Sequence, residues 1–368
     1  MSDYKPMWGK PFYEKLHPTK SIIMACNTRI GKGVVKGILQ AAKDTDSPIA
    51  FELAKSESDL KGGYTGLTPA KYGKFVRGVA TEVQYSNYVI HGDHIKVGKP
   101  EDIPGVKELI TAQIEAGYTS FAIDASFLYD ESGTNDKERL AGNIKATTEV
   151  THFIEDKLGH KKFGLEVEVG EIGKKDPKTG LVMTTVSEAT TFIESLKEQD
   201  VHPHFLAIAN GSVHGFQYDE RGNPIRQEGI DIQLTSDIGQ AIKPFGVKIA
   251  QHGITGTPLD IIAKRFPKDV IGKGNVGTNW MTVAWDVLKI FEPELFETIF
   301  KWTSENYHKT GVPVNETFLK YSKLAIVEHF DELYDVDAST EHALASAAYT
   351  SALMFLKAFN SYGQAKNL

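Results

Sequence analysis

The feature that most constrains this chain is a repeated alternation. Eight short apolar, β-branched runs recur: "SIIMACN" (21–27), "PIAFELA" (48–54), "NYVIHGD" (87–93), "SFAIDAS" (120–126), "FGLEVEVG" (163–170), "HFLAIAN" (204–210), "VKIAQHG" (247–253) and "DVIGKGNVG" (269–277). Runs of this length suit strands buried on both faces. Between them lie amphipathic stretches such as "PAKYGKFVRGVATEVQ" and "AGNIKATTEVTHFIEDKLG". Thr68-Pro69 and Thr257-Pro258 carry the cap-then-proline signature of a helix start, and Gly117 and Gly159 stand where helices would stop. Eight strands alternating with helices, the last helix near 279–299, is the count of an α/β (β/α)8 TIM barrel. A doubly wound sheet has the same alternation, because periodicity does not report closure. Residues 1–305 read as the barrel. Residues 306–368 read as additional C-terminal helices, an extension packed on the barrel or on a neighbouring subunit.

Composition narrows the partners. The 368 residues carry a formal charge of −7 and are 41% hydrophobic and 24% charged, ordinary for a globular enzyme. Lysines and arginines are interspersed with acids, with no run that could track a nucleic acid. Cys26 is the only cysteine, which excludes an intramolecular disulfide and a thiolate metal cage and suits a reducing compartment. The first residues show no apolar signal segment and no stretch is long enough to span a bilayer, so a cytoplasmic location is expected and a membrane partner is not.

In a barrel the chemistry collects at the C-terminal ends of the strands. In chain order those ends supply Asn27, then Asp93 and His94, Asp124, Glu166 and Glu168, Asn210 and His214, His252, and Asn275. Three of the twelve histidines thus fall at equivalent positions. One strand-end histidine alone is more often a hydrogen-bonded structural residue; three together with Asp93 point to a metal site. Three imidazoles leave an open coordination position on Zn2+, and the same donors suit Co2+, Mn2+ or Fe2+. The glycine-rich segments "GSVHGF" (211–216), "HGITGT" (252–257) and "GKGNVGT" (272–278) follow strands six to eight. Loops seven and eight are where backbone N–H groups of such barrels meet a phosphate, although the glycines also serve tight turns.

The blocks "HGDH" (91–94), "EVEVG" (166–170), "SVHG" (212–215), "HGITG" (252–256) and "NVGT" (275–278) resemble, in order and rough spacing, those of class II (metal-dependent) fructose-bisphosphate aldolases. The resemblance covers about residues 20–290. It implies a lyase of glycolysis and gluconeogenesis that reversibly cleaves fructose 1,6-bisphosphate to dihydroxyacetone phosphate and glyceraldehyde 3-phosphate through a metal-stabilised enediolate. It implies that His94, His214 and His252 hold the metal with Glu168 close by, and that Asp93 is the acid/base at the C4 hydroxyl. His91 would support rather than ligate. Asn27, Gly215, Gly253, Thr255, Asn275 and Thr278 would contact the phosphosugar, and a homodimer or larger homo-oligomer is expected.

Some positions depart from the family pattern. The carboxylate that protonates the enediolate is expected on the loop "EIGKKDPKTGLV", where Asp176 and Glu171 are the candidates. Ile254 replaces a glycine of the strand-seven block, and Gly277 stands where strand eight would carry an aspartate. For the second phosphate, Lys55, Ser56 and Arg29 are candidates. A tagatose bisphosphate aldolase keeps the same mechanism. A metal-dependent barrel hydrolase, a non-catalytic subunit and a Schiff-base aldolase using Lys248 are the rival readings.

Overall fold

The computed structural model describes residues 4–171, 173, 175–176, 180–213, 215, 217–225 and 229–368, with the backbone only for Lys175, Asp176, Gln217 and Pro224. Eight parallel strands close into a barrel: β1 (Ile23–Asn27), β2 (Ile49–Ala54), β3 (Tyr88–Lys96), β4 (Ser120–Asp124), β5 (Gly164–Val169), β6 (Phe205–Ile208), β7 (Lys248–Gln251) and β8 (Ile271–Val276). Strand β1 pairs with both β2 and β8, which closes the ring and removes the doubly wound alternative. The expected strands thus all form, seven of them trimmed by a few residues, while β3 runs on past its expected end at Asp93 to Lys96.

Alternation along the strands sorts side chains between the two faces of the wall. The outward set, including Met24, Phe51, Ile90, Val167, Leu206 and Ile249, packs against the helical ring in one large apolar core. The inward set is layered. Its lower layers hold Ile23, Ala25, Ala50, Val89, Phe205, Ala207 and Ala250. Above them stand Glu52, His91, Glu166 and Lys273, all buried. Asn27, Asp93, Glu168, His252 and Asn275 form the upper rim of the same face.

The lower mouth is plugged by the helix Gly9–Leu16, whose Phe12, Tyr13 and Leu16 join the interior cluster. Tyr13 meets Phe205 edge-on, and its hydroxyl pairs with Ser120 Oγ at 2.9 Å. This helix has no counterpart in the sequence expectations, because eight residues give too few turns for periodicity to register.

The stretch expected as one helix near 279–299 is two, Thr278–Phe291 and Pro293–Tyr307. Pro293 has no N–H to continue the first helix and suits the first turn of the second. At Thr257-Pro258 the proline itself is the N-cap and the helix runs Leu259–Arg265. At Thr68-Pro69 the expectation holds, with Thr68 accepting from Lys71 N. Gly117 and Gly159 both follow helix ends with positive φ.

The long helix Ala338–Ala358 lies against the barrel helix Val34–Asp44. Gly37 permits the approach, since a Cβ there would lie 2.1 Å from Ala345 O. Tyr334 reaches back to accept from Gly31 N at 3.0 Å, and the turn Ser322–Ala325 carries Lys323 to the upper mouth. Among the described residues no helix is long and apolar enough to cross a membrane.

Candidate metal centre and ligand pocket

The chain places Asp93 and His94 next to each other in sequence, where a regular strand would aim them to opposite faces. Strand β3 solves this with an irregularity: its register against β4 shifts between Gly92 and Ile95. His94 adopts φ 41°, in the left-handed region that non-glycine residues rarely enter. The bulge keeps Asp93 inside the barrel and swings the His94 ring over the same mouth. Strained backbone of this kind persists where the surroundings over-determine it, and it gathers at functional sites.

The two rings of His94 and His252 lie 4.5 Å apart, centroid to centroid. Ligand atoms of Asp93, His94 and His252 all fall within 4.8 Å of one another, as do those of His94, Asp124 and Glu168. Such donor sets, imidazole with carboxylate, suit Zn2+ and its divalent neighbours. His94 Nδ1 is 3.0 Å from Glu168 Oε2 and 3.8 Å from Asp124 Oδ2. His214, the third expected imidazole, lies outside the described residues.

Beneath the mouth a chain of polar contacts links the inward layer. Glu166 Oε1 accepts from His252 Nε2 at 3.0 Å, and Lys273 Nζ bridges Glu166 Oε2 at 2.7 Å and Glu52 Oε2 at 3.0 Å. Glu52 Oε1 in turn accepts from Asn275 Nδ2 at 2.7 Å. Asp93 accepts from Asn27 Nδ2 at 3.0 Å and from Asn275 Nδ2 at 3.3 Å. His91 Nδ1 pairs with Ser120 Oγ at 2.7 Å, and its Nε2 stands 3.7 Å from Glu166. The ring is wholly buried below the mouth.

Charge follows from these neighbours. Burial alone would raise Asp93, but His94, Lys273 and His252 outweigh it and hold the carboxyl well below its usual range. Burial also opposes a charged His94, and Glu168 and Asp93 overcome it, lifting the imidazole well above its ordinary value. Glu168 is raised, by burial first and then by Asp124. Lower in the barrel, burial is again overcome at Glu166, which Lys273 and His252 hold at about 2. His91 drops to about 3 through burial and then Lys273. Glu52 is pushed well up by burial and then by Asp93.

A cavity of about 670 Å³ opens over these groups. Asn27, Lys55, Ser56, Gly215, Gly253 and Thr255 line it, as do Asn275 and Thr278. Asp93, His94, Glu168, Glu171 and His252 also stand at its wall. Asp176 is described by its backbone, in a short hairpin of Lys175–Asp176 with Gly180–Leu181. Gly253 has φ 68°, and a Cβ there would meet Val213 O at 2.7 Å, so the turn that seats His252 excludes other residues. Lys55 Nζ donates to Lys96 O at 3.1 Å.

Sequence reading missed several residues of this pocket. Glu57 is buried and accepts from Arg29 Nε at 2.6 Å, from Tyr64 OH at 2.9 Å and from Asn27 Nδ2 at 3.2 Å. The Arg29 guanidinium thereby lies beside Gly277, where a Cβ would be 3.3 Å from Nη2. The aspartate absent at 277 is thus matched by a cation next to it. Lys323 joins this wall from the far end of the chain. Lys273, the buried lysine of the interior, was also passed over; its signal was its place two residues before Asn275, on the same strand face. Lys248, the lysine a Schiff-base aldolase would use, lies elsewhere: its Nζ donates to Thr19 O at 2.9 Å, at the lower mouth and remote from the cavity. Asn210, another strand-end residue, is engaged with Thr235 and Gln251 instead of the cavity.

A closed (β/α)8 barrel with imidazoles and carboxylates gathered over one mouth defines a metal-dependent barrel enzyme as the class to compare. The family described as fructose-bisphosphate aldolase class-II matches residues 10–336, and the chain belongs to that family, whose members are metal-dependent aldolases. Among solved structures, the YdjI aldolase from Escherichia coli K12 is 19% identical with TM-score 0.61, covering 98% of this chain and 100% of that one. The fructose-bisphosphate aldolase from Campylobacter jejuni is 16% identical with TM-score 0.66, covering 98% and 97%. A probable tagatose 6 phosphate kinase from Sinorhizobium meliloti 1021 is 15% identical with TM-score 0.64, covering 92% and 100%. At such identities the likeness to these three speaks to the fold.

Proposed function

We propose that this protein is a zinc-dependent aldolase that reversibly cleaves fructose 1,6-bisphosphate to dihydroxyacetone phosphate and glyceraldehyde 3-phosphate. The observation that carries the reading is the convergence of Asp93, His94 and His252 within 4.8 Å, at the floor of a cavity walled by glycine loops and cations. His94 and His252, with His214 and with Glu168 close by, would hold the ion. When bound, zinc would supply Lewis-acid polarisation of the ketose C2 carbonyl. Asp93, oriented by Asn27 and Asn275, would take the proton of the C4 hydroxyl as the C3–C4 bond breaks. Asn275 Oδ1 is buried without a hydrogen-bond partner among the described residues and can accept from a substrate hydroxyl. Gly215, Gly253, Thr255 and Thr278 would seat the ketose phosphate, and Lys55, Ser56 and Arg29 the far one. Glu171 or Asp176 would return the proton to carbon.

The reading includes a cytoplasmic location, a homo-oligomer, and a division into a catalytic barrel at 1–305 and a helical extension at 306–368. Cleavage of fructose 1,6-bisphosphate should be lost in EDTA and restored by Zn2+. Activity that persists in EDTA and is trapped by borohydride would overturn the proposal. A preference for tagatose bisphosphate under the same assay would keep the mechanism and change the sugar.

A further inference from the structure

The polar network inside the barrel contains one cation that touches neither the cavity nor solvent. Lys273 is 0% exposed, and so is Glu52, while Glu166 is 1% exposed. A lysine buried to that degree is rare and costly unless paired, and this one is paired twice. Its two carboxylate partners each spend their other oxygen on a group of the reaction centre. Glu166 Oε1 holds His252 Nε2, and Glu52 Oε1 holds the Asn275 carboxamide. Each contact is between 2.7 and 3.0 Å.

We infer that Lys273 is a positioning residue that fixes, through Glu166 and Glu52, both a metal-holding imidazole and the substrate-facing carboxamide of Asn275. The geometry explains why one ammonium serves both. Strand β8 places Lys273 and Asn275 two residues apart on the inner face, so the same strand carries the anchor and one of the groups it anchors. Glu166 and Glu168 stand two apart on β5 by the same rule, the lower one turned to Lys273 and the upper one to His94. With Glu166 bound to Nε2, the His252 ring is fixed in the tautomer that leaves Nδ1 as the metal-facing nitrogen. Outer carboxylates of this sort orient metal-binding histidines, and losing one weakens metal binding by about 10–100-fold. A simple structural strut would stabilise the barrel without setting the affinity at its mouth.

The inference rests on the reading of His252 as a metal ligand, and the experiment separates the two. Zinc affinity of purified metal-free protein is measured by competition with a chromophoric chelator, alongside circular dichroism and melting. Lys273→Met should weaken zinc binding about 10–100-fold at unchanged secondary structure, and Glu52→Gln should raise KM for the ketose phosphate while leaving zinc affinity close to wild type. Should Lys273→Met fail to fold, the charge-neutral triple variant Lys273→Met/Glu52→Gln/Glu166→Gln is read in its place, with the same loss expected. A folded variant lacking Lys273 that binds zinc as wild type does would overturn the inference. Nitrogen NMR of the wild-type ring provides a check that needs no variant: His252 should carry its proton on Nε2, and a proton on Nδ1 would overturn it equally. A wild-type protein that binds no zinc would instead remove the metal reading itself.

Discussion

The two mouths of the barrel are built from the same eight strands and do opposite things. At the lower mouth the inward residues are Ile23, Ala50, Val89 and Phe205, sealed by Phe12, Tyr13 and Leu16 of the first helix. At the upper mouth, a few residues further along each strand, they are Asn27, Asp93, Glu168, His252 and Asn275. Apolar side chains can be sealed without partners, so the lower end is closed. Carboxylates and imidazoles need partners or water, so the upper end keeps an open cavity. The layer between, centred on Lys273, converts one environment into the other by pairing every charge it buries. Stability and chemistry are thus separated along the strand axis, and substitutions should separate in the same way.

The largest expected effect is at the upper mouth. His252→Ala should abolish aldol cleavage and reduce zinc affinity by more than the roughly 10–100-fold that an outer partner is worth, with little change in melting temperature. Zinc titration beside a melting curve measures both. Asp93→Asn should retain zinc while cleavage falls about 10²–10⁴-fold. Full cleavage by this variant would remove Asp93 from the proton transfer.

The lower mouth should respond in stability instead. Phe205→Ala, which empties the interior beside Tyr13, should cost about 3–5 kcal/mol in denaturant unfolding while leaving kcat unchanged where the protein is folded. His204 sharpens the contrast through pH. Its Nδ1 accepts from Leu165 N, and burial followed by Lys10 depresses its pKa to about 4. Between that value and about 6.5 the unfolded chain binds a proton that the folded one does not. The stability is therefore fully present above that window and is lost as pH falls through it, by at most about 3 kcal/mol. His204→Gln should flatten the dependence, measured as unfolding free energy at several pH values. Tyr13→Phe should give the smallest change, about 1 kcal/mol for one buried hydrogen bond.

How much of this was legible in the sequence follows the same axis. The strands were readable because parallel strands buried on both faces are apolar runs, and their ends named Asn27, Asp93, His94, Asp124, Glu168, His252 and Asn275 at the cavity wall. His94 was named from its motif, but the bulge that turns it beside Asp93 is a backbone event with no residue signature. Lys273 lay inside "GKGNVG", where glycines suggest a turn and mask the inward period of two. Arg29, Glu57 and Lys323 meet only through tertiary contact, the last from a turn far along the chain. The plug Gly9–Leu16 was too short for its apolar face to register. The break before Pro293 was the exception: a visible proline whose effect the helical period overrode.

The most direct measurement of the central claim is anomalous diffraction at the zinc edge from crystals carrying Zn2+ and dihydroxyacetone phosphate. The account expects one peak at the upper mouth, about 2.0–2.1 Å from nitrogens of His94 and His252, with the phosphate against the loops of Gly253 and Thr278. A peak elsewhere, or a bound ketose phosphate with no metal between these histidines, would contradict it.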